Sequence, residues 1–177
     1  MSKNMLQLFV IQNKKRYILP IKQNLMTYDL LKLENQVCFR LYTASRLTTQ
    51  AYEPFLKELG ITYTQYLVLL VLWEEDNQPI NDIGKKLMLG INTTSPLIKR
   101  MEKLDLVARR DSETDKRQQL VYLTRKGQDI KKEAAKIPGC MSQVIESCGI
   151  DGRSVAGMIP ALDDYITKMS GNANEKK

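Results

Sequence analysis

Apolar residues recur at helical spacing between positions 27 and 59, with Leu30, Leu31, Val37, Leu41, Leu47, Phe55, Leu56 and Leu59 in the pattern, which predicts an amphipathic helix. Pro54 predicts a kink or break in it, and Gly60 its end. The stretch TYTQYLVLLVLWEED is apolar almost all round, so it predicts a helix buried at the centre of a domain, N-capped by Thr62 or Thr64. NQP reads as a turn. INDIGKKLML predicts a short helix with Ile80, Ile83 and Leu87 on one face. GINTTSPLIKRMEKLDL predicts another, N-capped by Asn92, Thr93 or Thr94, with Pro96 tolerable in its first turn. VARRD and QLVYLT predict two strands around the charged tip SETDKRQ. A further helix opens at Thr124 and IPG at 137–139 interrupts it. Two more helical stretches run through MSQVIESC and RSVAGMIPALDDYITKM before the tail GNANEKK.

Helix, turn, a second helix rich in Thr, Asn, Lys and Arg, then a two-stranded hairpin is the order of a winged helix-turn-helix. The fold class predicted is therefore mainly α with a small β-hairpin. This order divides the chain into a basic N-terminal extension over 1–26, N-terminal helices over 27–60 and the winged helix-turn-helix over 61–126. C-terminal helices over 127–170 and a tail over 171–177 complete it.

Charge adds a partner to the picture. The net charge is +7, and residues 1–25 hold five Lys/Arg and no acid, while 92–126 hold nine against five. The second surplus falls on the helix and hairpin. A helix opening with Asn92, Thr93, Thr94 and Ser95 offers short hydrogen-bonding groups to base edges in a major groove. Lys99, Arg100 and Lys103 lie farther along it to reach phosphates, and Lys116 and Arg117 at the hairpin tip reach an adjacent groove or backbone, with Asp115 beside them counted in the DNA-binding set. Alone, such a helix start is only a capped, solvated helix; with the hairpin attached it predicts double-stranded DNA as partner.

With 177 residues, 43% apolar and 27% charged, the chain predicts about one soluble domain. LQLFVI, the longest apolar run near the start, is too short to span a bilayer and is not followed by a small-residue cleavage site, so no membrane and a cytoplasmic location are expected. Three cysteines, Cys38, Cys140 and Cys148, read as thiols in a reducing compartment. The absence of histidine removes the commonest metal ligand and general base; no metal, no cofactor and no enzyme are expected. Cys38, beside Val37, Phe39 and Leu41, is either packing or a reagent, and its spacing does not choose. If its helix begins near Asp29, Cys38 lies more than two turns inside, beyond the reach of the helix dipole.

DKRQQLVYLTRKG, from Asp115 to Gly127, carries D-x-R followed by L-T-x-x-G, and by that pattern residues 27–170 resemble the MarR-type transcriptional regulators. KLENQVCFRLYTASRLTTQAYEPFLKELGITYTQYLVLLVLWE resembles the N-terminal half of the OhrR branch, which senses organic hydroperoxides. The resemblance implies a homodimer of winged-helix subunits with N- and C-terminal dimerisation helices. Such a dimer binds a pseudo-palindromic operator and represses transcription until an organic hydroperoxide oxidises one cysteine. Cys38 is then the reagent, with Tyr42 one turn on, and Tyr52 and Tyr63 stand where the family places phenols that hydrogen-bond the reactive sulfur. Family members divide by whether the sulfenate waits for an external thiol or is captured by a second cysteine in the partner's C-terminal helices. The usual second-cysteine position falls on Gln143, between Cys140 and Cys148, so both are candidate resolving thiols. Gly90 stands where the family often carries an acid, and residues 1–25 have no counterpart. Two other readings stay open: a repressor gated by a small phenolic ligand without cysteine chemistry, and a thiol peroxidase. The peroxidase reading has only Arg40 and Arg46 as close cations.

Overall fold

The computed structural model describes residues 27–113, 115 and 118–174, mainly helical with a three-stranded antiparallel sheet. The chain divides into two compact units, one ending at Arg46 and the other beginning at Leu47.

In the first unit, Thr27–Leu31 and Leu33–Asn35 form two 3-10 turns, and the first α-helix, α1 (Val37–Glu58), begins later than the apolar spacing predicts. Side-chain amides explain the delay. Asn35 Nδ2 donates to the Asp29 carbonyl at 2.7 Å and the Gln36 amide to that of Leu30, occupying acceptors that a continuing α-helix would use. The helix runs unbroken across Pro54, so the proline makes no break.

At its far end, the Gly60 N–H bonds the Lys57 carbonyl at 3.0 Å and the Ile61 N–H that of Leu56 at 3.1 Å. This crossed pairing needs a left-handed residue, and Gly60 supplies it at φ 69°. Thr62 then caps α2 (Tyr63–Glu74) through a reciprocal box with Gln65, which resolves the choice between Thr62 and Thr64. The centre of α2 is buried on several sides, with Tyr66, Val68, Leu69, Val71 and Leu72 in the core as its all-round apolar pattern predicts.

NQP does more than turn. Asn77 adopts φ 61°, after which Gln78–Pro79 form a short strand, β1, paired antiparallel with the last strand of the sheet. There follow α3 (Ile80–Lys86), α4 (Ile91–Lys103), β2 (Val107–Asp111) and β3 (Gln119–Leu123), the sheet order being β1-β3-β2. Val107 faces Leu123 and Arg109 faces Val121 across the hairpin. Leu97, Ile98 and Met101 of α4, Ile83 of α3, Leu106, Val107 and Val121 close the core over α2.

The L-T-x-x-G motif is the hinge pin of this arrangement. Thr124 caps α5 (Arg125–Asp129), accepting from the Gly127 N–H at 3.1 Å while its hydroxyl donates to the Asp105 carbonyl at 2.6 Å. A Cβ on Gly127 would lie 2.0 Å from the Leu106 carbonyl oxygen, so only glycine fits. Trp73 Nε1 donates to the Gly127 carbonyl at 2.9 Å, and Lys131 Nζ to the Trp73 carbonyl at 3.1 Å.

The remaining helices are α6 (Lys131–Ala134), α7 (Ile137–Ser147), α8 (Gly152–Ala156) and α9 (Ile159–Asn174). IPG opens α7, because Pro138 sits in its first turn, where the missing N–H costs nothing. Ile159, Ile166 and Met169 of α9 and Val155 of α8 stay exposed, as do Tyr28, Leu31 and Val37 near the start of the described chain. Among the described residues, no single helix is long and apolar enough to cross a membrane.

Candidate nucleic-acid interface and thiol site

The two helices of the helix-turn-helix meet at a glycine. A Cβ on Gly84 of α3 would lie 2.9 Å from both the Leu89 carbonyl oxygen and Thr94 Oγ1, so α4 starts directly against the backbone of α3. Met88, at φ 55°, turns the chain between them, and the Leu89 N–H returns to the Gly84 carbonyl at 2.8 Å.

This close approach sorts the predicted base readers. Asn92 and Thr93 are exposed and Ser95 is half-buried. Thr94 is 0% exposed, and its hydroxyl donates to the Gly90 carbonyl at 3.1 Å; it packs α4 onto α3 and cannot reach a base. The cap also differs from expectation. Thr93 and Thr94 N–H groups already bond the Gly90 carbonyl at 2.9 and 3.0 Å, so Gly90 is the N-cap and Asn92, Thr93 and Thr94 lie inside the first turn. Gly90 offers no side-chain acceptor, which leaves that turn fit for an anion such as a phosphate. Pro96 then falls in the second turn, where it removes the helix bond to the Asn92 carbonyl.

With Leu97, Ile98 and Met101 buried, Lys99, Arg100 and Lys103 stay exposed. At the hairpin tip, Asp115 is half-buried; its carbonyl accepts the Gln118 N–H at 2.8 Å and its carboxylate accepts Gln118 Nε2 at 3.2 Å. Asp115 thus shapes the tip. Lys116 and Arg117 lie outside the described residues. Sequence reading missed the two arginines of β2. Arg110 Nε donates to Asn77 Oδ1 at 3.1 Å and its guanidinium lies 5.8 Å from the Tyr122 ring centre. Arg109 pairs with Glu102 of α4 at 2.7 Å.

Cys38 is exposed and is the second residue of α1. The late start of that helix therefore corrects its expected setting: the sulfur lies in the first turn, within the range over which the helix dipole favours negative charge. Its thiol donates to Gln36 Oε1 at 3.7 Å, and Arg40 Nη1 donates to the Gln36 carbonyl at 3.1 Å. Tyr42, one turn on, is exposed.

In the second unit, Tyr52 of α1 and Tyr63 of α2 meet edge to face with ring centres 5.1 Å apart. Tyr66 joins them at 6.0 and 6.5 Å and touches Trp73 at 6.3 Å. Burial, reinforced by Tyr63, raises the Tyr52 phenol above the ordinary value, and burial with Tyr52 and Tyr63 does the same for Tyr66. Both remain protonated donors at neutral pH. Tyr66 is legible only as the residue three after Tyr63.

The other two thiols differ from each other. Cys140 is half-buried on α7 and lines a pocket of about 320 Å³ with Phe55, Leu59, Ile137, Glu58, Glu133 and Lys136. Cys148 is exposed at the end of α7.

Residues 50–134 match the family of SarA/Rot transcriptional regulators. The organic hydroperoxide resistance transcriptional regulator of Bacillus subtilis is 44% identical over 135 residues, 76% of this chain and 92% of that protein. AbfR of Staphylococcus epidermidis is similar in three solved states. Reduced and bound to DNA, it is 38% identical with a TM-score of 0.65, covering 81% of this chain and 99% of that one. Overoxidised and bound to DNA, it has the same identity and coverage and a TM-score of 0.62. With its disulfide formed it is 40% identical with a TM-score of 0.51, covering 78% and 95%.

Proposed function

Since the chain belongs to the MarR-type transcriptional regulators, in their OhrR-like branch, we propose that it is a DNA-binding repressor released from its operator when an organic hydroperoxide oxidises Cys38. The observation that carries this reading is an exposed thiol in the first turn of α1, in a chain whose α4 presents Asn92, Thr93, Lys99, Arg100 and Lys103 to solvent. The protein acts in the cytoplasm as a homodimer, its exposed apolar side chains on α9 and near the start of α1 being covered by a second copy.

In the redox step, the Cys38 thiolate attacks the terminal peroxide oxygen, the O–O bond breaks, and the alcohol leaves after taking up a proton. The cysteine is oxidised to sulfenate and the peroxide reduced. A second thiol then displaces the sulfenate oxygen as water to form a disulfide, and Cys140 and Cys148 are the candidates. Overoxidised AbfR is itself bound to DNA, which favours the disulfide as the releasing product in this chain. Tyr52 and Tyr63 serve as hydrogen-bond donors to the sulfur, and Asn92, Thr93, Lys99, Arg100, Lys103, Lys116 and Arg117 as the DNA contacts.

The test uses a duplex selected from a random-sequence library by the reduced protein. Cumene hydroperoxide should release it from the parent but not from Cys38→Ser, which loses only thiol chemistry. Release of the serine variant would replace this reading with gating by a small phenolic ligand. Because the relatives are transcriptional regulators, the protein is not an enzyme, and thiol peroxidase turnover is not favoured.

A further inference from the structure

We propose that Arg109 is a positioning residue for DNA recognition, which through Glu102 and Gln119 fixes the wing, the β2–β3 hairpin, to the recognition helix α4 without touching DNA. The inference rests on the DNA-binding reading above. Arg109 Nη2 lies 2.7 Å from Glu102 Oε2 in the last turn of α4, and Nη1 donates to Gln119 Oε1 at 3.0 Å on the facing strand. One guanidinium therefore joins three elements: the helix and both strands of the hairpin.

Burial says what such a contact is for. The side chains of Arg109 and Glu102 are 27% and 26% exposed, so both have lost much of their hydration, and that loss offsets most of the attraction gained. Arg109 Nε is buried with no partner among the described residues, a further cost. Little net stability is left. Geometry is what remains, since a planar fork held at two points fixes direction as a single ammonium contact does not. Successive strand residues face opposite ways, and Arg110 faces Asn77 and Tyr122 instead. The two arginines thus grip the base of the wing from its two faces. The Arg109 charge is held by Glu102 and not presented to a phosphate.

For a reader that places a helix in one groove and a wing beside it, the angle between them decides whether both contacts form at once. A loosened wing becomes a tethered second contact, and affinity falls although every DNA-touching side chain is intact.

The informative variant is Arg109→Lys, which keeps the charge and loses the fork. Affinity of the reduced protein for its selected duplex should fall about 3- to 30-fold. In Arg109→Gln, which removes the charge as well as the fork, the slope of affinity against salt should not change, because no phosphate contact is lost. Gln119→Ala, at an exposed strand position that leaves the ion pair intact, should show a smaller loss of the same kind and guards against misfolding of the first variant. In free protein, amide exchange in Arg109→Lys should quicken over 107–111 and 119–123 and stay unchanged in α2. Parental affinity in Arg109→Lys and Gln119→Ala, or a salt slope smaller by about one in Arg109→Gln, would overturn the proposal; the second result would make Arg109 a phosphate ligand. Amide exchange needs no DNA, so it judges the clamp even if the parent selects no duplex, an outcome that would sink the DNA-binding reading itself.

Discussion

At the residue scale, the phenols separate a chemical role from a packing role. Tyr52→Phe and Tyr63→Phe each delete one donor and keep the ring, so the 5.1 Å edge-to-face contact should survive. Peroxide should then release DNA more slowly from both variants, with affinity of the reduced protein little altered. Stopped-flow release curves matching the parent in both would remove these hydroxyls from the sensor. The same cluster has a pH signature. Unfolded tyrosines ionise near 10.0, whereas Tyr52 and Tyr66 hold their protons above that value in the fold. Below pH 10 both states are protonated and the stability is fully present. Above it the unfolded chain binds fewer protons, so stability falls as pH rises. Urea midpoints at pH 9 and pH 11 should show the fall, and Tyr66→Phe should lessen it.

Among elements, what the sequence made legible were caps with a chemical signature, and what it hid were competitions between backbone and side chain. Thr62, Gly60 and Thr124 act where their residue types predict. Asp105 ends α4 at φ 58° in the same crossed pairing as Gly60, with the Leu106 N–H on the Met101 carbonyl at 3.1 Å, and an aspartate announces no such turn. The start of α1 was hidden for a related reason, since the apolar spacing of 27–36 is helical while Asn35 and Gln36 spend their amides on local carbonyls. Thr93 and Thr94 are chemically alike; only the contact with Gly84 assigns one to solvent and the other to the core. The 2.0 Å clash at Gly127 makes a strong forecast at this scale. Gly127→Ala should lower stability by about 3 kcal/mol, and Thr124→Ala, which loses the cap, by about 1–2 kcal/mol. Chemical denaturation decides both, and a Gly127→Ala protein as stable as the parent would mean that Leu106 and α5 do not approach as described.

For the whole molecule, the expectation concerns symmetry. In the proposed homodimer two recognition helices related by a two-fold axis would enter successive major grooves, so the selected duplex should be pseudo-palindromic with half-sites about one helical turn apart. Its affinity should fall steeply with salt. Binding to a lone half-site as tight as to the full site would argue against the dimer. The chain also holds a single tryptophan, and its position has a consequence of another kind. Trp73 joins the end of α2 to Gly127 through its indole N–H, while the Tyr66 ring stands 6.3 Å away. Light absorbed by the tyrosine cluster passes to that one indole, whose emission colour depends on whether the Gly127 carbonyl or water accepts its proton. The joint between the DNA-reading half and the helices that follow it therefore carries a built-in optical gauge, and its opening can be timed from intrinsic fluorescence without attaching any dye.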